Sequence, residues 1–299
     1  MLVLSQEEVQ RLLDVDLLLD SLERAFVELS AGRASVPPRT AAFSEHGLLG
    51  AMPGYVDGVL VAKLVTLFPG NEPSHQALIA VFDADTGTPV AVMDGTHITA
   101  VRTGASSAVA TRALAREDAR VLAVLGAGVQ GRSHLDAVGR VRDFSEVRIV
   151  SRDPAHAEAL AAEVGATAVG SFEEAVRGAD VVCACTSSAE PVLRREWLEP
   201  GTHVTSVGSS MEGPELDRET VTAGLLVIES RVAFQPPPAG SHELQGLEPT
   251  DAVELGEVLA GTHPGRTSDE QITVYKSMGH AVEDAAAAAL VLRLNSSES

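Results

Sequence analysis

Hydrophobic and polar residues recur with one period near the N-terminus and with another period further along the chain. Ser5 followed by Glu8 forms a capping box that predicts a short helix. Asp14 or Asp16 can cap a second helix, which Gly32 ends. Beyond these helices, alternating patterns predict strands over 40–44, 47–52, 59–68, 76–83 and 90–93. The N-terminal part is therefore predicted to form a largely antiparallel sheet with helices.

From Arg120 onward, apolar strands alternate with helical patterns. Strands are predicted over 121–125, 146–150, 166–169, 181–185, 202–207 and 225–228, with helices after the first three of them. This alternation predicts a parallel sheet with helices on both faces. The expected fold class is α/β, with a Rossmann-type doubly wound parallel sheet and a separate α+β part at the N-terminus. A helix of small residues over 99–116 precedes the domain boundary. The change of composition near 116–120 predicts a boundary between two domains.

Composition and charge narrow the function classes. The chain has 299 residues, with 22 Lys+Arg against 42 Asp+Glu, for a formal net charge of −20. Such an acidic chain repels phosphate backbones, which argues against nucleic-acid binding. The N-terminus lacks the pattern of a signal peptide, and no apolar run is long enough to span a bilayer. The two cysteines, Cys183 and Cys185, fit free thiols of a reducing cytoplasm and are too few to hold a metal. We expect a cytoplasmic protein with no membrane association and no metal.

A glycine-rich turn links the apolar strand 121–125 to a helical pattern. Gly126, Gly128 and Gly131 stand in the G-x-G-x-x-G spacing of dinucleotide-binding sites, and this strand–turn–helix context makes the motif specific. The glycines permit the turn, the approach of the pyrophosphate and the packing of helix on strand. We expect this turn, with Val129 and Gln130, to bind a nicotinamide cofactor.

The end of the next strand selects the cofactor. An acidic residue there would accept hydrogen bonds from the ribose of NAD. Ser151 and Arg152 stand there instead and suit the 2′-phosphate of NADP. The alternative is that Arg152 is solvated and Asp153 binds the ribose of NAD. NADP is the favoured cofactor, and NAD is the alternative.

Five segments, taken in order, resemble the ornithine cyclodeaminase/μ-crystallin family. They are Met52-Pro53, 63–71 (KLVTLFPGN), 93–105 (MDGTHITAVRTGA), the glycine turn, and 275–279 (YKSMG). The resemblance covers nearly the whole chain. It implies a homodimer, an N-terminal substrate and dimerisation domain, a Rossmann domain, and a C-terminal segment that returns to the first domain. The expected domains are therefore 1–115 with 277–299, for the substrate and for dimerisation, and 116–276, for NAD(P).

The resemblance also implies a substrate site. Arg39 and Arg102 match arginines that bind the substrate carboxylate, Lys63 matches the active-site lysine, and Met52 lies in a substrate-site segment. Three such cations would bind a small anion. Each cation alone would be typical of a solvated or salt-bridged residue. Lys63, however, lies in an apolar strand that would otherwise bury a charge without purpose.

Other polar residues are candidates for the cofactor site or for proton transfer. Thr186, Ser187 and Ser188 follow a strand of the parallel sheet, where the nicotinamide would lie. Thr103 and Ser277 are expected to contact the cofactor as well. His97 is a candidate for proton transfer, although a lone histidine is more often structural.

Two departures from the family pattern change the expected chemistry. Gly50 stands where cyclodeaminases carry a glutamate, and Ser210 stands nearest their aspartate. Glu212 could substitute for that aspartate, but we favour a site without a catalytic carboxylate at this position. We therefore predict an NAD(P)-dependent oxidoreductase that transfers hydride to or from a small imino, keto or amino acid. The alternatives are a lyase of the ornithine cyclodeaminase type and a non-catalytic NADP-linked binding protein.

Overall fold

The computed structural model describes residues 1–71, 73–208 and 212–298. They form two compact units, Met1–Arg102 with Gly279–Ser299, and Thr103–Met278. In chain order the strands are β1 (Leu2–Leu4), β2 (Thr40–Phe43), β3 (Leu48–Val56), β4 (Val59–Leu67), β5 (His75–Asp83), β6 (Pro89–Asp94), β7 (Val121–Leu125), β8 (Glu146–Val150), β9 (Thr167–Ala168), β10 (Val181–Ala184), β11 (His203–Ser206), β12 (Leu225–Ile228), β13 (Val253–Glu254) and β14 (Thr273–Lys276).

The α-helices are α1 (Gln6–Leu12), α2 (Val15–Ser30), α3 (Thr96–Leu114), α4 (Val129–Val138), α5 (Pro154–Val164), α6 (Phe172–Val176), α7 (Arg218–Val221), α8 (Leu255–Leu259) and α9 (Ala281–Glu298). None of the described helices is both long enough and apolar enough to cross a membrane.

The first unit contains a six-stranded sheet in the order β1-β6-β5-β4-β3-β2. The neighbouring strands from β2 to β6 run antiparallel, as predicted, and β1 adds a parallel edge strand that the sequence did not predict. The predicted capping box of Ser5 and Glu8 begins α1, and the side chain of Asp14 caps α2.

Helix α9 packs against β3 and β4 on one face of this sheet. The alanine-rich sequence of α9 allows this close approach, since a Cβ on Gly54 of β3 would lie 3.0 Å from the Cβ of Ala281. The residues of β4 alternate between the two faces, and Lys63 shares the buried face with Val61. The sheet therefore places a lysine in the interior, against the helix that the C-terminal segment forms.

The second unit contains an eight-stranded sheet in the order β13-β12-β14-β11-β10-β7-β8-β9, and its strand pairs are parallel. Ile149 and Val150 are adjacent in β8 and point to opposite faces. Ile149 packs with the helix α5 residues Ala157 and Leu160, whereas Val150 belongs to the cluster that contains Ala175 of α6. Helices therefore cover both faces, and the predicted Rossmann-type sheet is confirmed.

The boundary between the compact units lies at Arg102/Thr103, inside α3, rather than at 115/116 as predicted. The reason is the packing of the small residues in the C-terminal part of α3. Ser106 hydrogen-bonds the Tyr275 hydroxyl over 2.9 Å, and Ser107 hydrogen-bonds the His134 ring over 2.8 Å. These contacts bind 103–114 to the parallel sheet and to α4.

Candidate active site

The glycine turn between β7 and α4 has the geometry that a dinucleotide requires. Gly126 has φ +109°, and a Cβ there would lie 2.7 Å from the carbonyl oxygen of Cys185. A Cβ on Gly131 would overlap the carbonyl oxygen of Gly126. Each of these two positions therefore excludes a side chain, one to make the turn and the other to let α4 pack on it.

Gly128 is different, because a Cβ there would meet no protein atom within 4 Å. Gly128 is the N-cap of α4 and has no side chain to cap the helix. The first N–H groups of α4, which include those of Val129 and Gln130, thus have no side-chain acceptor from the cap residue. Open space beside uncapped N–H groups fits a pyrophosphate, which binds such groups at helix N-termini. The turn therefore fits a dinucleotide cofactor.

At the end of β8, Ser151 is half-buried and Arg152 is exposed. Asp153 is the N-cap of α5, and its carboxylate accepts a hydrogen bond of 3.0 Å from the backbone N–H of Ala155. The acidic side chain that could have bound a ribose therefore already caps a helix.

A buried carboxylate, Glu215, organises the carboxyl ends of β10 and β11. Its Oε1 accepts hydrogen bonds from the backbone N–H (2.5 Å) and the hydroxyl (2.7 Å) of Thr186. Its Oε2 accepts from the hydroxyl of Ser206 (2.8 Å) and the N–H of Gly208 (2.9 Å). Four donors thus hold Glu215, which in turn holds Thr186 at the sheet edge where dinucleotides bind.

Lys276, at the end of β14, extends this network. Its fully buried ammonium donates to the Gly208 carbonyl (2.7 Å), the Ser206 hydroxyl (3.1 Å) and Glu243 Oε1 (3.2 Å). Glu243 Oε1 also accepts from the backbone N–H of Glu215 (2.8 Å). Burial acts to raise the pKa of Glu243, but the charge of Lys276 and several hydrogen bonds lower it overall.

The predicted substrate residues meet in the first unit. The side chain of Lys63 is buried, and its Nζ donates to Asp284 Oδ1 over 3.0 Å. The Nε of Arg102 donates to the same oxygen over 3.2 Å, and its Nη1 donates to Glu283 Oε2 over 2.9 Å. The half-buried Arg39 donates to the Gly279 carbonyl over 2.6 Å. We call Arg39, Lys63, Arg102, Glu283 and Asp284 the charged cluster.

Gly279 lets the backbone approach the charged cluster closely. It has φ +72°, and a Cβ there would lie 2.7 Å from both terminal nitrogens of Arg102. Any other residue would push the arginine away. The next residue, His280, is buried, and both of its ring nitrogens lack a hydrogen-bond partner among the described residues.

Electrostatics set the protonation of this cluster. Burial lowers the pKa of Lys63 to about 8, with Asp284 opposing the shift and Arg102 adding to it. Burial acts to raise the pKa of Asp284, but the charges of Lys63 and Arg102 outweigh it and lower the pKa. Burial raises the pKa of Glu283, against the pull of Arg102. Burial and the nearby Arg39 lower the pKa of His280 to about 4, so its ring is neutral near pH 7.

The other residues predicted for the substrate site lie in the same unit. Met52 is buried and pairs with Lys63 across β3 and β4. Gly50 also lies in β3, where a Cβ would contact Val65 at 3.3 Å. His97 is half-buried in the first turn of α3, and burial lowers its pKa.

The other residues predicted for the cofactor site lie in the second unit. Thr103 and Ser277 are buried, Ser188 is half-buried, and Ser187 is exposed. The N–H of Ser277 donates to the Ser206 carbonyl over 2.9 Å. Ser210, the position nearest the cyclodeaminase aspartate, lies outside the described residues, and Glu212 is exposed.

No sequence pattern indicated the carboxylates of either site. Asp284 lies 221 residues from Lys63, and Glu283 lies 181 residues from Arg102. Both acids are in the first turn of the alanine-rich helix α9, a position where acidic residues are common. Glu215 lies in a loop that gave no motif. The buried lysine alone was a signal, since a lysine in an apolar strand requires a counter-charge.

Comparison with known proteins places these features in a family. The model of the ornithine cyclodeaminase/mu-crystallin family matches residues 1–298. Ketimine reductase mu-crystallin of Mus musculus is 41% identical, over 96% of this chain and 95% of the relative. The structure of Thermococcus litoralis Δ1-pyrroline-2-carboxylate reductase with NADH and L-proline aligns with a TM-score of 0.92 and 36% identity, covering 100% and 98% of the two chains. An archaeal alanine dehydrogenase dimer with bound NAD aligns with a TM-score of 0.91 and 34% identity, covering 100% and 97%.

Proposed function

The chain belongs to the ornithine cyclodeaminase/mu-crystallin family, and we propose that it is an NAD(P)H-dependent reductase or dehydrogenase of a small imino, keto or amino acid. The observation that carries this proposal is the charged cluster, in which Lys63 and Arg102 pair with two buried carboxylates. The third cation, Arg39, is bound to the Gly279 carbonyl. The cluster's surplus of positive charge suits one carboxylate of a small substrate. The cofactor supplies a hydride when it is bound.

The chain's own residues position the substrate. Arg39, Lys63 and Arg102 hold the carboxylate, which fixes the adjacent α-carbon and lowers the entropic cost of reaching the reactive geometry. Lys63, with its pKa lowered to about 8 by burial, can exchange a proton near neutral pH. The reductive direction, with a cyclic ketimine or with a keto acid and an amine, fits an NADPH-linked enzyme.

The residues at the positions of the cyclodeaminase carboxylates argue against cyclodeaminase chemistry. The glutamate position is Gly50, inside β3, where a side chain would press on Val65. Both oxygens of Glu215 are taken by four donors, so this carboxylate is not free to handle a substrate proton. Glu212 is exposed. We expect no ammonia and no proline from ornithine.

For the cofactor we favour NADP. The exposed Arg152 and the half-buried Ser151 offer donors for a 2′-phosphate. The occupation of Asp153 as the N-cap of α5 disfavours its use on the ribose of NAD. Two structural relatives are solved with NADH and with NAD.

We also propose a homodimer formed through the outer face of the first unit's sheet. Apolar residues with 36–43% exposure lie on this face: Leu49, Leu60, Leu64, Leu78 and Val90. An apolar sheet face of this kind requires a partner, and a second copy of the chain supplies one. Leu64→Glu should shift the protein to monomer in light scattering, whereas Leu17→Glu, at the 42%-exposed Leu17 of α2, should not.

The enzymatic proposal is tested by following the absorbance of NADPH and NADH with cyclic imines and with keto acid and amine pairs. Oxidation with at least one substrate, and its loss in Lys63→Ala, is the expected result. No oxidation with any of them would refute the reductase. Unchanged turnover in Lys63→Ala would remove Lys63 from catalysis.

A further inference from the structure

One carboxylate oxygen of the charged cluster is buried without a partner. Oδ1 of Asp284 accepts from Lys63 and Arg102, but Oδ2 has no hydrogen-bond partner among the described residues. The neighbouring Glu283 differs, because its Oε1 accepts from the His280 N–H over 2.7 Å and its Oε2 accepts from Arg102. A buried oxygen that carries negative charge and lacks a donor is costly, so such an atom is a candidate for ligand contact.

We propose that Oδ2 of Asp284 accepts a hydrogen bond from the N–H of a protonated imine, so that the substrate is taken as a zwitterion. The inference rests on the proposed function and names its substrate class: monocarboxylic imines with a protonatable nitrogen. The cations hold the carboxylate, and Asp284 holds the iminium.

The assignment gives Asp284 a direct role in the reaction. The hydride of the reduced cofactor forms a bond to the imine carbon, and the electron pair of the C=N π bond moves to nitrogen. The cofactor is oxidised, the iminium becomes a secondary amine, and the proton stays on nitrogen. A negative oxygen beside the nitrogen stabilises the cationic form that accepts hydride, and it acts strongly because the site is buried.

Lys63 and Arg102 fit Asp284 for this role. Both bind Oδ1, and their charges favour the ionised carboxylate despite its burial. They also fix the rotamer, because β4 and α3 hold them from two directions. Oδ2 is left for the ligand. The role differs from that of the cyclodeaminase aspartate, since Asp284 lies on α9 and not in the loop after β11.

The test measures inhibition by two ring carboxylates of one size. L-proline carries a protonated ring nitrogen, and cyclopentanecarboxylate carries a methylene in its place. Wild-type enzyme should bind L-proline about ten- to a hundredfold more tightly, the effect of a charge-assisted hydrogen bond. In Asp284→Asn the ratio of the two inhibition constants should fall towards one. An unchanged ratio would overturn the assignment.

Two matched variants separate Asp284 from its neighbours. Glu283→Gln alters a carboxylate whose oxygens are both occupied, so it should weaken the two inhibitors in parallel and keep their ratio. His280→Leu removes an uncharged acceptor and should also keep the ratio. A ratio that collapses in His280→Leu and not in Asp284→Asn would assign the acceptor to His280 and overturn the proposal.

Failure of the variant to fold does not end the test. Equal inhibition of the wild-type enzyme by the two ring carboxylates would overturn the proposal without any substitution. A wild-type preference for L-proline would support it, because Oδ2 of Asp284 is the cluster's unpartnered carboxylate oxygen among the described residues. The proposed function is tested separately by imine-dependent oxidation of NADPH. A reductase that does not prefer L-proline to cyclopentanecarboxylate would overturn the role of Asp284 and leave the proposed function intact.

Discussion

The ammonium of Lys63 and the carboxylate of Asp284 form an ion pair of 3.0 Å, with side-chain exposures of 2% and 0%. The pair connects β4 to α9, and both of its charges are buried. Burial pulls the pKa of Lys63 down to about 8, and Asp284 limits the fall. A lysine in this balance changes its charge within the range where enzymes are assayed.

The pH dependence of activity should report this lysine. As the pH rises through about 8, Lys63 loses its proton and its attraction for the substrate carboxylate, so kcat/KM should decline. Asp284 raises the pKa of Lys63, and Asp284→Asn should therefore move the decline to lower pH. Initial rates between pH 6 and 10 check this, and a profile that stays level to pH 9.5 would contradict it.

The glycine turn offers a contrast between stability and cofactor binding. A Cβ on Gly131 would overlap the Gly126 carbonyl, so Gly131→Ala should destabilise the fold by about 1–3 kcal/mol. Gly128 faces open space, so Gly128→Ala should cost within about 1 kcal/mol and yet weaken NAD(P)H binding at least about tenfold. Urea unfolding and cofactor fluorescence measure the two effects. If Gly128→Ala binds NAD(P)H with unchanged affinity, the pyrophosphate does not bind beside Gly128.

Cofactor preference should depend on Arg152. Arg152→Ala removes the fork of donors proposed for the 2′-phosphate, so the KM for NADPH should rise about tenfold while that for NADH changes little. Arg177→Ala provides the control, because Arg177 is also exposed but pairs with Glu173 in α6. Equal changes for both cofactors would show that Arg152 does not read the phosphate.

Glu215 should position the loop of Thr186. In Glu215→Gln an amide NH2 group replaces one of the carboxylate oxygens that accept these hydrogen bonds. The free energy of unfolding should fall by about 1–3 kcal/mol for each donor left without an acceptor. The released Thr186 loop should also raise the dissociation constant of NAD(P)H. Glu212→Gln changes an exposed carboxylate of the same loop and should alter stability by less than about 0.5 kcal/mol. Lower stability with unchanged cofactor affinity would limit Glu215 to a structural role.

Acid should destabilise the protein through its buried histidines. Burial lowers the pKa of His203 to about 3 from 6.5, so the unfolded chain binds a proton in this window and the folded chain does not. The free energy of unfolding is therefore unaffected by the titration of this histidine above pH 6.5. Between pH 6.5 and pH 3 it falls by about 1.4 kcal/mol for each pH unit and for each such histidine. His203→Phe should make the decline of Tm between pH 7 and pH 5 shallower. An identical decline would assign it to other groups.

Local patterns predicted much of the fold because their causes are local. The capping box of Ser5 and Glu8, the strand 146–150 and the glycine turn depend on residues within a few positions of one another. The edge strands β1 and β13 escaped prediction because they are short and acquire hydrogen bonds only from distant neighbours. The end of the first unit escaped it for a similar reason, since the partners of Ser106 and Ser107 come from β14 and α4.

The sequence by itself determined the glycine turn, the parallel sheet that carries it, and the choice of Lys63 and Arg102 as candidate site residues. Only the tertiary structure decided what those cations face. Asp284 is 221 positions from Lys63 in the chain, and no periodicity links them. Their pairing follows from the packing of an alanine-rich helix on a sheet, where buried charges remain only with an opposite charge at hydrogen-bond distance.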